Sequence, residues 1–171
     1  MKRLIQKKDG LKIKSLIVCL LALFLATDTS AQPAKKEKNA ANTEAVRKLI
    51  ESRHYTCTMR SVTPSGGRMK QLSPGYSVTV AGDSLISNLP YFGTSHIPST
   101  SSGDGYMFTS AAIEYEISNR KKGGWDVRIK TKDQQENPEF RMTIFEGGSA
   151  SVYVTSISRS SISYSGEIVA K

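Results

Sequence analysis

The sequence predicts an all-β domain with one N-terminal helix, and two observations carry that prediction. After Arg53, nine short segments alternate apolar and polar residues and are separated by turns rich in Gly, Pro and Ser. A period of two residues is typical of strands that bury one face. The only segment with helical spacing comes before them, at residues 42–53. This pattern favours an antiparallel meander that closes as a barrel or folds as a sandwich.

The first 31 residues have the features of a secretory signal peptide. Met1–Lys14 carries six Lys and Arg residues, Leu16–Ala26 is an apolar run, and small residues follow at 29–31. The run is shorter than the roughly 20 residues that span a bilayer. We therefore expect an exported protein, periplasmic or extracellular, with no membrane span in its mature chain. Cys19 lacks the flanking residues of a lipoprotein cleavage site, so we expect no lipid anchor.

Removal of this leader changes the composition of the chain. The leader contains six basic and two acidic residues, so its loss lowers the formal charge from +9 to +5. The remaining bases are scattered among acids, which argues against nucleic-acid binding. Cys57 becomes the only thiol, so no intramolecular disulfide can form. The mature length suits one hydrophobic core, and we expect a monomer.

The helix is predicted over residues 42–53. Val46, Leu49 and Ile50 recur at helical spacing, and Asn42 or Thr43 can cap the first turn. Residues 32–41 show no periodicity and are predicted to be a disordered spacer. Residues 42–171 are therefore predicted to form a single domain.

The strands are predicted in chain order from the alternation and the turns that bound it. They run through Tyr55–Met59, Tyr76–Val80, Ser84–Leu89, Tyr106–Thr109, Ile113–Ser118, Trp125–Thr131, Phe140–Phe145, Ser151–Ser156 and Ser161–Ile168.

One hairpin register follows from parity. Apolar residues occupy odd positions in both 113–117 and 125–129, so odd positions must face each other across the pair. A turn centred on Lys122 satisfies this and pairs Tyr115 with Ile129 and Ile117 with Val127. It also sets Glu114 against Lys130 and Glu116 against Arg128. The next hairpin is predicted to turn at 146–149.

Few residues of this chain are candidates for catalysis or metal binding. Glu114 and Glu116 have a spacing compatible with glycosidase acids, but the predicted register faces them with Lys and Arg, which indicates a surface salt ladder. His54 and His96 are the only histidines, and neither belongs to a recognisable metal motif. Cys57 shares the apolar face of its strand and is predicted to be buried. We expect no catalytic residues, no metal and no cofactor.

The string Leu89–Gly93 is the most unusual local sequence. Its two aromatic residues follow a strand-ending proline and lead into a long Ser- and Thr-rich loop. They could form a binding lip at one end of the sheet or plug that end as core. The ligand-binding residues predicted on this basis are Tyr91, Phe92, His96 and Tyr106.

Several strings together resemble the DUF4251 family, a domain of unknown function in exported proteins of Bacteroidetes. These strings are Leu72–Tyr76, Gly82-Asp83, Leu89–Gly93, Lys122–Trp125 and Ile162–Ile168. The resemblance covers about Thr43–Val169 and implies a lipocalin-like barrel, but it brings no activity or catalytic residues. This sequence departs from the family pattern at Cys57 and at residues 94–97.

The predicted function is a non-catalytic binding domain that takes a small apolar ligand or a protein partner near Tyr91, Phe92 and the loop 93–105. Two alternatives remain open on the sequence. One is a structural or interaction module with a filled core and no ligand, and the other is a hydrolase. The chain offers few titratable groups that could meet in a cleft, so the hydrolase is the weakest of the three.

Overall fold

The computed structural model describes residues 31–95 and 105–170, with side chains from Asn39 onward. The compact domain spans Lys38–Lys171, and the preceding unit, Met1–Glu37, is described only as helical backbone from Ala31. The predicted signal peptide, apart from Ala31, and the predicted site residue His96 lie outside the described residues.

Helix α1 runs from Ala31 to Ser52, so it begins eleven residues before the predicted start. Residues 32–41, expected to be a spacer, therefore have helical backbone. They are rich in Ala and Lys, which favour helix without any apolar period. The predicted packing face is confirmed, because Val46 and Ile50 are buried and Leu49 packs against the core. The helix ends at Ser52, because the next residue, Arg53, has a left-handed φ of +55°.

The ten strands that follow form one antiparallel sheet. Their bounds are β1 His54–Pro64, β2 Lys70–Gln71, β3 Ser77–Ala81, β4 Ser84–Pro90, β5 Gly105–Ser110, β6 Ile113–Asn119, β7 Trp125–Thr131, β8 Glu139–Ile144, β9 Ser149–Thr155 and β10 Ile162–Ala170. The order across the sheet is β5-β4-β3-β1-β10-β9-β8-β7-β6, and β2 pairs with β1. Sequence analysis missed β2 because two residues are too few to show a period.

The sheet is a strongly curled half-barrel, so the predicted meander with one N-terminal helix is confirmed. The first predicted hairpin has the expected register, in which Tyr115 faces Ile129 and Glu116 faces Arg128. The second hairpin joins the strands that were predicted to pair, and in it Met142 faces Val152. Although β5 and β6 are joined by only two residues, they share no ladder and form the two edges of the sheet.

Large side chains fill the concave face of the sheet. The largest fully buried ones include Tyr55, Tyr164, Phe140, Met59 and Met142. Cys57 is also fully buried, and burial raises the pKa of its thiol to about 12. Among the helical residues that the structure describes, none forms a stretch long and apolar enough to cross a membrane.

Candidate functional site

The structure brings two of the predicted site residues together and separates a third from them. Tyr91, directly after β4, packs edge to face against Tyr106 of β5, with ring centroids 5.7 Å apart. Tyr106 is buried and Tyr91 is partly buried. Phe92 instead points outward and is 43% exposed, with the Lys70 amine 4.6 Å from its ring centre. Tyr91 therefore packs into this end of the core, whereas Phe92 is exposed, and ligand binding at either residue stays a prediction.

A buried arginine lies beside the two tyrosines. The Arg159 guanidinium is 5.2 Å from the Tyr91 ring centre and 5.1 Å from that of Tyr106. Its Nη2 donates to Glu136 Oε1 at 3.3 Å, and its Nε lies 3.0 Å from Oε2 without hydrogen-bond geometry. The Arg159 side chain is only 6% exposed. We call these four residues, Tyr91, Tyr106, Glu136 and Arg159, the Arg159 cluster.

Backbone contacts fix the chain around this cluster. Ser95 pairs with Arg159 in an isolated β-bridge, and Ser160 N donates to Thr94 O at 2.9 Å. The Tyr91 hydroxyl lies 2.9 Å from Thr94 O and 3.0 Å from Ser160 O. A Cβ on Gly93 would overlap that hydroxyl, which explains the glycine after the two aromatics. The segment after β4 is thus held against the β9–β10 turn.

The tyrosine hydroxyls in and beside the cluster are held in their protonated, hydrogen-bonding form. Burial is the main cause that raises the pKa of Tyr91, of Tyr106 and of Tyr164 above the usual phenol value. Each therefore stays protonated at neutral pH. Tyr164 donates to Pro90 O at 2.7 Å, and the Tyr106 hydroxyl lies 3.2 Å from Ser156 Oγ.

The end of the domain that holds this cluster, which we call the loop end, also carries exposed apolar side chains. Met69 is 63% exposed and precedes Lys70, whose amine contacts Phe92. Ile157, in the β9–β10 turn two residues before Arg159, is 69% exposed. Met69, Phe92 and Ile157 together give this end an apolar rim.

Sequence analysis missed Arg159 and Glu136. Arg159 stands alone in a Ser-rich turn, and Glu136 lies in a polar connection, so neither belongs to a period or a motif. Their pairing depends on two connections that are distant in sequence and meet only in the folded sheet. The local sequence carries no signal that could have revealed it.

The two carboxylates considered above as possible glycosidase acids lie on β6, at the opposite edge of the sheet from β5. Glu114 and Glu116 are exposed and form ion pairs with Lys132 at 3.2 Å and Arg128 at 3.5 Å. Glu114 faces Lys130 in the β6–β7 register, but its ion pair is with Lys132, two residues further along the chain. Over residues 31–95 and 105–170, no three His, Cys, Asp or Glu side chains converge as metal ligands.

A groove of about 550 Å³ lies between α1 and the strands β9 and β10. Apolar side chains line it on both sides, and the Gly147-Gly148 turn and the Arg60–Glu167 ion pair lie at its margin. The apolar lining residues are Ala45, Val46, Leu49, Ile168, Val169 and Ala170. Sequence analysis could not reveal this groove, because α1 and β10 lie at opposite ends of the domain sequence.

Comparisons with known proteins point to one family. The family model of the domain of unknown function DUF4251 matches residues 37–168. The crystal structure of a DUF4251 family protein from Bacteroides eggerthii is similar, with a TM-score of 0.59 and 11% sequence identity. The match covers 77% of this chain and 91% of that one. At that identity the likeness concerns the fold alone. A comparison with curated proteins finds no significant match.

Proposed function

The chain belongs to the DUF4251 family, and from that premise we propose that it is an exported, non-catalytic binding domain that takes a protein partner at its loop end. The observation that carries the proposal is the apolar rim: Met69, Phe92 and Ile157 are 63%, 43% and 69% exposed. Apolar side chains of this size, grouped on one end, are typical of interaction surfaces.

The packing of the Arg159 cluster favours binding at the surface of the domain rather than in an enclosed pocket. Tyr91 and Tyr106 already pack on Arg159, so their rings are engaged within the protein. They form a packed cluster next to the chain segment that carries the exposed Phe92. Aromatic, Met and Arg residues are enriched at protein interfaces, and a rigid surface loses little conformational entropy on binding.

The proposed absence of catalysis rests on the state of the candidate groups. The Cys57 thiol is buried with a pKa of about 12, and Glu114 and Glu116 are exposed and ion-paired. A buried thiol is not activated as a nucleophile, and two carboxylates held in surface ion pairs are not gathered in a cleft with other reactive groups. Export is supported by the charged, apolar and small-residue order of the first 31 residues.

A second candidate function is the binding of a small apolar ligand, and the groove beside α1 favours it. Its volume of about 550 Å³ falls within the usual range for small-molecule sites, and six apolar residues contribute to its lining beside polar ones such as Arg60 and Glu167. This ligand would lie outside the core, between Leu49 and Val169, and away from the loop end.

Site-specific photo-crosslinking in the exporting cell tests the protein-partner proposal. A photoreactive amino acid replaces Phe92 in one variant and Ile157 in another. The matched control is Ile86, which is 42% exposed on the outer face of β4. We expect positions 92 and 157 to give one adduct of the same mass, identified by mass spectrometry, and position 86 to give none.

Two results would contradict this proposal. One is the absence of any adduct at positions 92 and 157, and the other is the same adduct at all three positions. Native mass spectrometry of the chain purified from an exporting host tests the alternative. A retained small molecule that is lost in Leu49→Asp but kept in Phe92→Ser would favour the groove.

A further inference from the structure

Strand β6 is an open edge of the sheet. It pairs with β7 on one side, and within the described residues no other group hydrogen-bonds to its backbone. Five of its seven residues are exposed, and Ile117, which shares the apolar face with the buried Val127, is 44% exposed. An unpaired strand of this length can accept another strand by backbone hydrogen bonding.

The other edge, β5, is protected. Gln134 Nε2 donates to Thr109 O at 3.4 Å, and Arg159 Nη1 donates to Gly105 O at 3.3 Å. Just beyond the strand, Asp133 accepts from Ala111 N at 2.9 Å and also bonds the Ser110 hydroxyl. Side chains thus occupy polar groups along β5, whereas β6 has no such protection among the described residues.

The side chains of β6 indicate which sequence would fit. Its neighbour β7 places Arg128 opposite Glu116 and Ile129 opposite Tyr115, so apolar and basic residues alternate over the stretch 127–130 that faces the two glutamates. A strand added on the free side of β6 would continue the same two faces of the sheet, because cross-strand neighbours share a face. Its polar residues would lie beside the glutamates and its apolar residues beside the apolar side chains of β6. We propose that β6 binds an extended segment of another protein in which basic and apolar residues alternate.

The existing ion pairs of β6 do not prevent this. Glu139, in the same sheet, accepts from Arg128 Nε at 2.9 Å and from Arg141 Nε at 2.7 Å. One carboxylate on this surface therefore binds two guanidinium groups at once. Glu114 and Glu116 can do the same, with β7 on one side and the incoming strand on the other.

A second copy of this chain is a poorer occupant. The antiparallel register that pairs all seven residues of β6 with themselves sets Glu116 directly against Glu116. Like charges directly opposite each other destabilise a strand pair. The acidic residues thus disfavour self-pairing and favour a basic partner.

Fluorescence anisotropy with a synthetic peptide tests the proposal. The probe is a labelled eight-residue peptide that alternates valine and arginine, added to the chain purified from an exporting host. We expect saturable binding that becomes about tenfold weaker in Glu114→Lys/Glu116→Lys. The matched control, Glu44→Lys/Glu51→Lys on α1, reverses two Glu residues that are also exposed and ion-paired, and it leaves binding unchanged.

Two further measurements separate strand addition from charge attraction. Two peptides are N-methylated at alternate nitrogens, one at the odd positions and the other at the even positions. Only every second N–H of an added strand faces β6, so one peptide should lose binding and the other should keep it. A valine and glutamate peptide should bind the Glu114→Lys/Glu116→Lys variant. Equal binding to both double variants, or equal binding of both methylated peptides, would overturn the proposal. Neither result bears on the loop end, which is a separate surface.

Discussion

Replacing Glu136 will destabilise the domain more than replacing Arg159, although either change breaks the same ion pair. Glu136→Gln keeps the shape of the side chain but leaves the Arg159 charge, 6% exposed, without its counter-charge. Removing one partner of a fully buried pair costs roughly 3–5 kcal/mol. Because some water reaches Glu136, which is 22% exposed, we expect a loss of about 3 kcal/mol in the free energy of unfolding.

Arg159→Met has a smaller expected effect. Methionine retains apolar contact with the Tyr91 and Tyr106 rings but loses two cation–π contacts, each worth about 0.5–1 kcal/mol. The Glu136 carboxylate left behind is better hydrated than Arg159. We expect a loss of about 2 kcal/mol. The double variant should lose less than the sum of the two single losses, by about 1–2 kcal/mol.

Urea denaturation followed by circular dichroism and by the fluorescence of the single tryptophan, Trp125, measures these losses. Arg47→Met is the control, because Arg47 pairs with Glu44 and Glu51 on the exposed face of α1. We expect no change in its midpoint. Losses below about 0.5 kcal/mol for both cluster variants, or strict additivity in the double variant, would refute the role assigned to the ion pair.

Three other predictions concern single positions. Gly166→Ala should lower the free energy of unfolding by about 2 kcal/mol in urea, because its Cβ would overlap Thr58 O of β1; an unchanged midpoint would contradict that packing. The pKa of Glu139 is lowered to about 2, chiefly by its hydrogen bond from Arg128. Its stabilising effect is therefore present above its ordinary pKa and lost as the pH falls towards 2. Unfolding measured from pH 5 to pH 2 should show a shallower acid dependence in Glu139→Gln, and an identical slope would count against it. Cys57 should resist alkylation at pH 8 in the native protein and react after unfolding, as followed by mass spectrometry, whereas rapid native labelling would show that the thiol is accessible.

The strands and their registers could be predicted because the signal is local. In β6 and β7 the apolar residues occupy odd positions, so parity and one turn fixed every pair from Ile113–Thr131 to Asn119–Trp125. The start of α1 could not be predicted from apolar spacing. Its first turns contain Ala, Lys and Glu, which favour helix by intrinsic propensity and leave no stripe.

The candidate site was predictable only in part. Tyr91 and Phe92 stood out because two aromatics follow a proline, but their opposite orientations depend on what meets each ring. Tyr91 faces Arg159, which arrives from the β9–β10 turn, and Phe92 faces Lys70 at β2. Such partners come from distant parts of the chain. Burial of Cys57, in contrast, followed from its place on an apolar face.

The central position of β1 and β10 determines when this domain can fold. Tyr55 of β1 and Ala170 of β10 face each other in the middle of the sheet, so the earliest and latest strands form its central pair. Until β10 is available, β1–β5 and β6–β9 are two separate meanders, each with an unpaired inner edge. Pairing across so long a sequence separation is slow. A chain that emerges N-terminus first, as during synthesis, could thus complete this sheet only after its final strand had emerged.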